Sequence, residues 1–281
     1  MNTQFSIVTI VKNRVRQLTN LIRSIEQSSV MPQEMIVVWM GAPCTESLIK
    51  SDAFHIQHRF FVDETLPIPQ ARNKGFSSCS HDIIFYLDVD CICAEDLFAQ
   101  FLEVVRPGVV VTSVIKYLRE TPARVDFSAL ESQAMPASGG NAPKAPRRLD
   151  MIRDFTTNLF GICKQDYDMV NGFDEHYSGY GVGDIDFATR CHKQGIVLEQ
   201  VPATVLHQYH PYCDPPINHL FDIVSNATRY KEKWGIYPLT PYLEQFAEEG
   251  LIHPDYQTSG LRVRRLPTDE EIKSHIKLQP S

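Results

Sequence analysis

Short apolar runs alternate with amphipathic stretches along the first part of the chain. Phe5 to Val11 (FSIVTIV) is β-branched and continuously apolar, which predicts a strand buried on both faces. In Asn13 to Gln27, Val15, Leu18, Leu21, Ile22 and Ile25 recur at helical spacing. Met35 to Met40 (MIVVWM) predicts a second buried strand ending at Gly41, and Ile56 to Val62 a third, parallel to its neighbours. Pro67 and Pro69 sit just ahead of a helix over Gln70 to Ser80, and Ile83 to Leu87 (IIFYL) predicts a fourth strand that runs into Asp88, Val89 and Asp90.

Alternation of this kind implies βαβ units and a mostly parallel sheet, with ligands gathered at the carboxyl ends of the strands. The fold class predicted is α/β, Rossmann-like, with helices flanking a mostly parallel mixed sheet. After Val109 to Ile115 the periodicity stops. Glu120 to Arg148 carries Pro122, Pro136, Pro143, Pro146, Gly139 and Gly140, and reads as a long loop, either an active-site lid or a plain insertion. Patterning resumes with a strand over Asn158 to Cys163, a short helix over Gln165 to Val170, a turn at Asn171-Gly172, a helix over Asp184 to Gln194 and a strand over Ile196 to Val201. His219, Ile223, Ala227, Tyr230 and Trp234, then Pro241 to Glu249, predict a helical carboxyl-terminal extension, so the division expected is a core domain over 1–215 and an extension over 216–281.

Composition narrows the class. The 281 residues are 43% hydrophobic and 22% charged, with no apolar run near the roughly 20 residues a bilayer requires, so neither a transmembrane protein nor a disordered chain is expected. Lys plus Arg is 27 against 34 for Asp plus Glu, and a net charge of -7 offers no global attraction to nucleic acid. Met1 to Thr9 shows no secretory signal, which predicts a cytoplasmic protein. Seven scattered cysteines (Cys44, Cys79, Cys91, Cys93, Cys163, Cys191, Cys213) lack paired zinc-ligand spacing and read as reduced, mostly buried thiols.

Three clusters could do chemistry. Asp88 and Asp90, directly after a buried strand, suit a hard divalent cation that bridges phosphate oxygens, or form a solvated turn. His207-Gln208-Tyr209-His210 spaces two imidazoles so that both could face one metal, or so that both sit on the surface. Joined to the aspartates they would make an oxygen-plus-imidazole set suited to Mn2+, with Mg2+ as competitor. Gly179 to Asp186 (GYGVGDID) is a glycine-rich approach to an acidic helix start. There Asp186 and Arg190, at i and i+4, read as a structural pair, while Asp184 is either a helix cap or free for chemistry.

In order along the chain, these segments resemble the metal-dependent GT-A glycosyltransferases, namely family 2 and the carboxyl-terminal region of the β-1,4-galactosyltransferases. The resemblance runs over roughly residues 5 to 235. Val11-Lys12-Asn13-Arg14 looks like the nucleotide-holding loop, Ala71-Arg72-Asn73-Lys74-Gly75-Phe76 like the helix before D-x-D, and Asp88-Val89-Asp90 like D-x-D itself. Asn171-Gly172-Phe173-Asp174 followed by GYGVGDIDFATR is similar to the acceptor and catalytic segment, with Tyr180 in place of that family's tryptophan and Gly183 in place of a glutamate before the base. Met40-Gly41-Ala42 lacks the acidic pair that many family 2 members place on the nucleotide base.

The resemblance implies Asp184 as catalytic base, Asp90, His207 and His210 as metal ligands with His210 ranked above His207, and Val11, Asn13, Arg14, Arg72, Asp88, Tyr180 and Gly181 as substrate contacts. It implies a nucleotide diphosphate sugar donor, UDP-sugars favoured, and a saccharide or other hydroxyl acceptor. The reaction implied is inverting transfer of a hexose or N-acetylhexosamine, in polysaccharide or glycolipid assembly. The competing readings are a non-catalytic nucleotide-sugar-binding subunit and a metal-dependent nucleotidyltransferase or hydrolase.

Overall fold

The structure, a computed structural model, describes residues 3–43, 48–61, 66–136 and 143–277. In chain order the first half comprises β1 (Phe5–Val11), α1 (Val15–Ile25), β2 (Glu34–Trp39), β3 (His55–Phe60), α2 (Ile68–Ser77), β4 (Ile83–Leu87), β5 (Cys91–Cys93), α3 (Leu97–Val104) and β6 (Val109–Tyr117). The second half comprises α4 (Phe127–Glu131), β7 (Met135–Pro136), β8 (Arg147–Leu149), α5 (Met151–Asp154), β9 (Leu159–Cys163), α6 (Lys164–Met169), α7 (Gly183–Lys193), β10 (Val197–His207), β11 (Tyr212–Cys213), α8 (Leu220–Trp234), α9 (Thr240–Glu248), α10 (Tyr256–Ser259), α11 (Asp269–His275) and β12 (Ile276–Lys277).

The main sheet runs β3-β2-β1-β4-β9-β6-β10-β5, with β7 on β6 and β8 on β10. The pairs β3-β2, β2-β1, β1-β4 and β6-β10 are parallel as the βαβ pattern predicts. The strand β9 enters antiparallel between β4 and β6, and its centre is Gly161. A Cβ there would lie 2.6 Å from the Phe85 ring and 2.7 Å from Val111, so glycine lets the two core faces close at this point. Apolar clusters cover both faces of the sheet, and a separate one is built from Tyr177, Val182 and the helices from α8 onward.

Two expectations change. The last core strand, expected to end at Val201, continues as β10 through Pro202 to His207, across a register shift between Gln200 and Thr204. Proline has no N–H for the ladder, and a bulge is where a strand tolerates that loss. The segment from Glu120 to Arg148 is not structureless: it holds α4, β7 and the start of β8. Val125, Phe127, Leu130 and Ala134 pack on Ile92, Leu118 and Leu206, and Thr121 and Pro122 accept hydrogen bonds from Arg16 and Asn20 of α1. Gly139 and Gly140, like Cys44 and Val62, lie outside the described residues. The six described cysteines are free thiols, five of them buried, and burial pushes Cys79, Cys93 and Cys191 up to about 12.

The carboxyl-terminal helices are tied to the core through one carboxylate. Asp186, fully buried in α7, accepts from Arg190 Nε at 2.9 Å, Trp234 Nε1 at 2.8 Å and Tyr177 OH at 3.2 Å, and pairs with Lys233 Nζ at 2.9 Å. The i,i+4 pair read from sequence is thus one spoke of a hub whose others come from α8 and from Tyr177 ahead of α7. Asp186→Ala leaves Arg190 and Lys233 without their buried partner and should cost about 3 to 5 kcal/mol, measured as the drop in urea unfolding free energy.

Candidate active site

The carboxyl ends of the strands open into a cleft with two lobes. The larger, about 700 Å3, is lined by Lys12, Asn13 and Arg14 after β1, by Asp88 and Val89 after β4, and by His207 and His210 at the end of β10. The smaller, about 420 Å3, is lined by Gly179 to Ile185, Thr157, Leu239 and Tyr242. Ile68, Arg72, Asp88, Asn158 and Tyr180 line both. Asp88 and Asp184 are the carboxylates among the described lining residues, and Asp184 belongs to the smaller lobe.

A corner that could hold a metal ion is made by strand pairing. The three-residue strand β5 turns back directly after Asp90 and runs antiparallel to β10, with Cys91 opposite His207. One further backbone bond, Gln208 N–H to the Asp90 carbonyl at 2.7 Å, extends that ladder to the aspartate itself. Ligand atoms of Asp90, His207 and His210 consequently lie within 4.8 Å of one another. Asp90 is 0% exposed, neither of its carboxylate oxygens accepts a hydrogen bond, and its charge is met by the Arg14 guanidinium. A buried carboxylate with open lone pairs beside two imidazoles is a donor set that fits a divalent cation. Burial pushes His207 down to about 4, against the opposing pull of Asp88, and burial also lowers His210, so both are neutral near pH 7, the form that ligates metal.

The smaller lobe is organised around Asp184. Val182, with φ of 69°, caps α7, so Asp184 lies in the first helical turn and is not itself the cap. Nor is it unengaged. Its Oδ1 accepts from Arg72 Nη1 and its Oδ2 from Thr157 Oγ1, both at 2.7 Å, and Arg72 Nη2 donates to the same Thr157 hydroxyl at 2.7 Å. This closed triangle fixes the carboxylate while its side chain stays 44% exposed to the cleft. The Arg72 guanidinium also lies over the rings of Tyr86 and Phe173.

The rest of the A-R-N-K-G segment is structural. Asn73 accepts from Tyr167 OH and Phe173 N–H and donates to the Phe173 carbonyl, tying α2 to the Asn171-Gly172 turn. Gly75 lies where a Cβ would meet Val8 at 2.4 Å, so α2 packs directly on β1.

Among the residues named from sequence, Asn13, Arg14, Arg72, Asp88, Tyr180, Gly181, Asp184, His207 and His210 line the cleft. Asp90 stands just behind it. Val11 does not line it: its side chain is buried in the core, and Lys12 takes its place at the wall. Tyr180 stacks on His219, ring centroids 4.5 Å apart.

Several contributors carry no sequence signal. Asn158 lines both lobes, and the Asn158 carbonyl accepts from Asp88 N–H. From α8, Asn226 donates to the carbonyls of Ser178, Tyr180 and Gly181, and Asp222 accepts from Tyr180 N–H, so this helix holds the glycine loop. Ile272 and Ile276, from the carboxyl-terminal end, wall the larger lobe, whereas no described residue of 120–148 does.

The fold around this cleft is similar to that of the GT-A glycosyltransferases. Residues 8–126 match the family described as glycosyltransferase like family 2, and residues 146–213 match the family described as N-terminal domain of galactosyltransferase. No curated protein sequence matches the chain. Among solved structures, GalNAc-T7 with UDP, GalNAc and Mn2+ superposes with a TM-score of 0.58 at 15% identity over 88% of this chain. The S. aureus TarS 1-349 complex with UDP-GlcNAc gives 0.57 at 12% over 92%, covering 74% of that chain. Mannosyltransferase PcManGT from Pyrobaculum calidifontis with GDP-Man and Mn2+ gives 0.57 at 14% over 88%, covering 69% of that chain. The chain spans 54% of the GalNAc-T7 chain.

The Thr157 hydroxyl serves as both acceptor and donor in the Asp184 triangle. Thr157→Val should lower stability by about 1 to 3 kcal/mol, because it takes the acceptor from the buried Arg72 Nη2 as well as a donor from the part-exposed Asp184; urea unfolding measures it.

Proposed function

We propose that this protein transfers a sugar from a nucleoside diphosphate donor to a hydroxyl acceptor with inversion at the anomeric carbon. The observation that carries the reading is the two-lobed cleft, with a charge-binding corner in one lobe and a fixed, exposed carboxylate in the other. The larger lobe suits the donor. Lys12 and Arg14 bring positive charge to the side where Asp88, His207 and His210 stand, which is where a diphosphate would be met. Ile10 and Met40 line the same lobe and offer the nucleotide base an apolar surface in place of an acidic pair.

In the smaller lobe an acceptor hydroxyl would reach Asp184. The acceptor oxygen attacks the anomeric carbon, its bond to the diphosphate oxygen breaks, and the hydroxyl proton passes to the Asp184 carboxylate. Arg72 and Thr157 hold that carboxylate aimed at the junction of the lobes, contributing orientation. Asp90, His207 and His210 would hold a divalent cation, Mn2+ ahead of Mg2+ given the imidazoles, which when bound supplies neutralisation of the charge developing on the leaving diphosphate. Support for a nucleotide-sugar donor comes from the superposing structures, which include complexes with UDP, UDP-GlcNAc and GDP-Man.

The deciding experiment incubates the full chain with Mn2+ and a panel of nucleotide sugars, with and without saccharide acceptors, and assays the nucleotide released. Acceptor-dependent nucleoside diphosphate is the expected product. Nucleoside monophosphate would point to attack on phosphorus, and tight binding with no release to a non-catalytic role. Asp184→Asn should lower transfer by about 10² to 10⁴ with donor affinity unchanged, as read by calorimetry beside product formation. Asp90→Ala removes a direct ligand and should weaken Mn2+-dependent donor binding by more than about tenfold in the same calorimetry.

A further inference from the structure

The chain beyond β10 poses a question that the ligands alone do not answer. His207 is the last residue of the strand, and residues 208–210 have no regular secondary structure, yet His210 Nε2 stands 3.8 Å from Asp90 Oδ2 and the two imidazole rings lie 5.5 Å apart. Beyond the Gln208 N–H bond to the Asp90 carbonyl, something other than a ladder must set the path between the two histidines.

We propose that Gln208 and Asn20 act as a positioning pair that fixes His207 and His210 in front of Asp90. Gln208 is 0% exposed although both histidines beside it line the cleft. An amide buried that deeply is tolerated only when its hydrogen bonds are made. Its Oε1 accepts from Asn20 Nδ2 at 2.8 Å and its Nε2 donates to the Gln17 carbonyl at 3.2 Å, so both ends of the amide are held by α1. Asn20, equally buried, uses Nδ2 also to donate to the Pro122 carbonyl at 3.0 Å. The backbone around the pair is pinned as well: Leu118 N–H donates to the His207 carbonyl at 2.9 Å and the Thr121 hydroxyl to the Tyr209 carbonyl at 3.3 Å.

An apolar side chain of the same length would fill the space beneath the two histidines without fixing their direction. The amide pair does fix it, because rotating the 207–210 backbone would strand Asn20 Nδ2 and Gln208 Nε2 away from water and from their acceptors. This is an outer-shell role of a less direct kind than a hydrogen bond to the imidazole itself, and loss of an outer-shell partner typically costs about 10- to 100-fold in metal affinity.

The inference rests on the metal reading of Asp90, His207 and His210, and the test keeps the two apart. Mn2+ is titrated into the full chain and free Mn2+ is read from its electron paramagnetic resonance signal, for the parent, Gln208→Met, Asn20→Ala and Asp90→Ala, with thermal unfolding recorded for each. The expected result is loss of Mn2+ binding in Asp90→Ala and a dissociation constant raised about tenfold in both Gln208→Met and Asn20→Ala. Asn20→Ala leaves the ligand segment unchanged in sequence and decides the matter if Gln208→Met does not fold. If Asp90→Ala loses Mn2+ while the two amide variants bind it like the parent, even with lowered melting temperatures, the pair is only structural and the proposal is overturned. If the parent binds no Mn2+, or Asp90→Ala binds it unchanged, the metal reading falls and the pair with it.

Discussion

The antiparallel pairing of β5 with β10 is the constraint on which the cleft depends. The sheet is otherwise built from strands whose order could be sketched from local pattern, but only this pairing carries the chain after Asp90 back against the chain that ends in His207. Because the ladder runs through backbone groups, it fixes the aspartate and the first histidine with no help from their own side chains. The carboxylate is left fully buried, with lone pairs that accept no hydrogen bond. Such an arrangement is costly for a structural aspartate and useful for a ligand, which is why the pairing weighs more in the functional reading than the D-x-D spacing does.

The second lobe depends on a different part of the chain. Sequence pattern places the helices after residue 216 in an extension packed on the core domain. In the structure α8 reaches into the site twice. Asn226 and Asp222 hold the glycine loop that carries Tyr180 and Gly181, and Lys233 with Trp234 closes the Asp186 hub two residues from Asp184. Gly179 belongs to the same arrangement, since a Cβ on it would fall 2.2 Å from the Asp222 carboxylate. The helix and the loop therefore form one arrangement leading into the start of α7, where Asp184 stands, and removal of the extension would take the wall of the smaller lobe with it.

What could be read from the sequence was whatever has a local period or a local spacing. The long runs FSIVTIV, MIVVWM and IIFYL are strands where their pattern placed them, with ends displaced by a residue or so. Asp88, Asp90, His207 and His210 stood out because carboxylates and imidazoles after buried strands are poor packing residues. The elements that escaped have no period to detect. Strand β5 is only three residues, β7 only two, and the proline within β10 is the strongest local signal against continuation. Partner choice was illegible for the same reason. Arg72 was readable as a cleft residue, but its bonds to Asp184 and Thr157 join positions that only the sheet brings together. Asn20, Gln208 and Asn226 carry no local signal, because burial cannot be inferred for a polar side chain whose partner is on another element.

The placement of Arg72 bears on how one cleft can hold two anionic centres. Asp88 and Asp90 mark one end and Asp184 the other, and under the proposed reaction a diphosphate would add further negative charge to the first. Charges of like sign confined to a low-dielectric cleft repel strongly unless positive charge lies between them. Arg72 lines both lobes, with its guanidinium on Asp184, while Arg14 stands against Asp90. Each carboxylate that would act has its own fixed cation, and the one at the junction is buried and cannot drift toward the donor. With Asp90 and Asp184 each paired locally, the proposed donor lobe could accept a charged leaving group without driving the carboxylate in the neighbouring lobe out of place. Under that reaction Arg72, which the resemblance implies as a substrate contact, would also hold Asp184 in place and divide the two centres of negative charge.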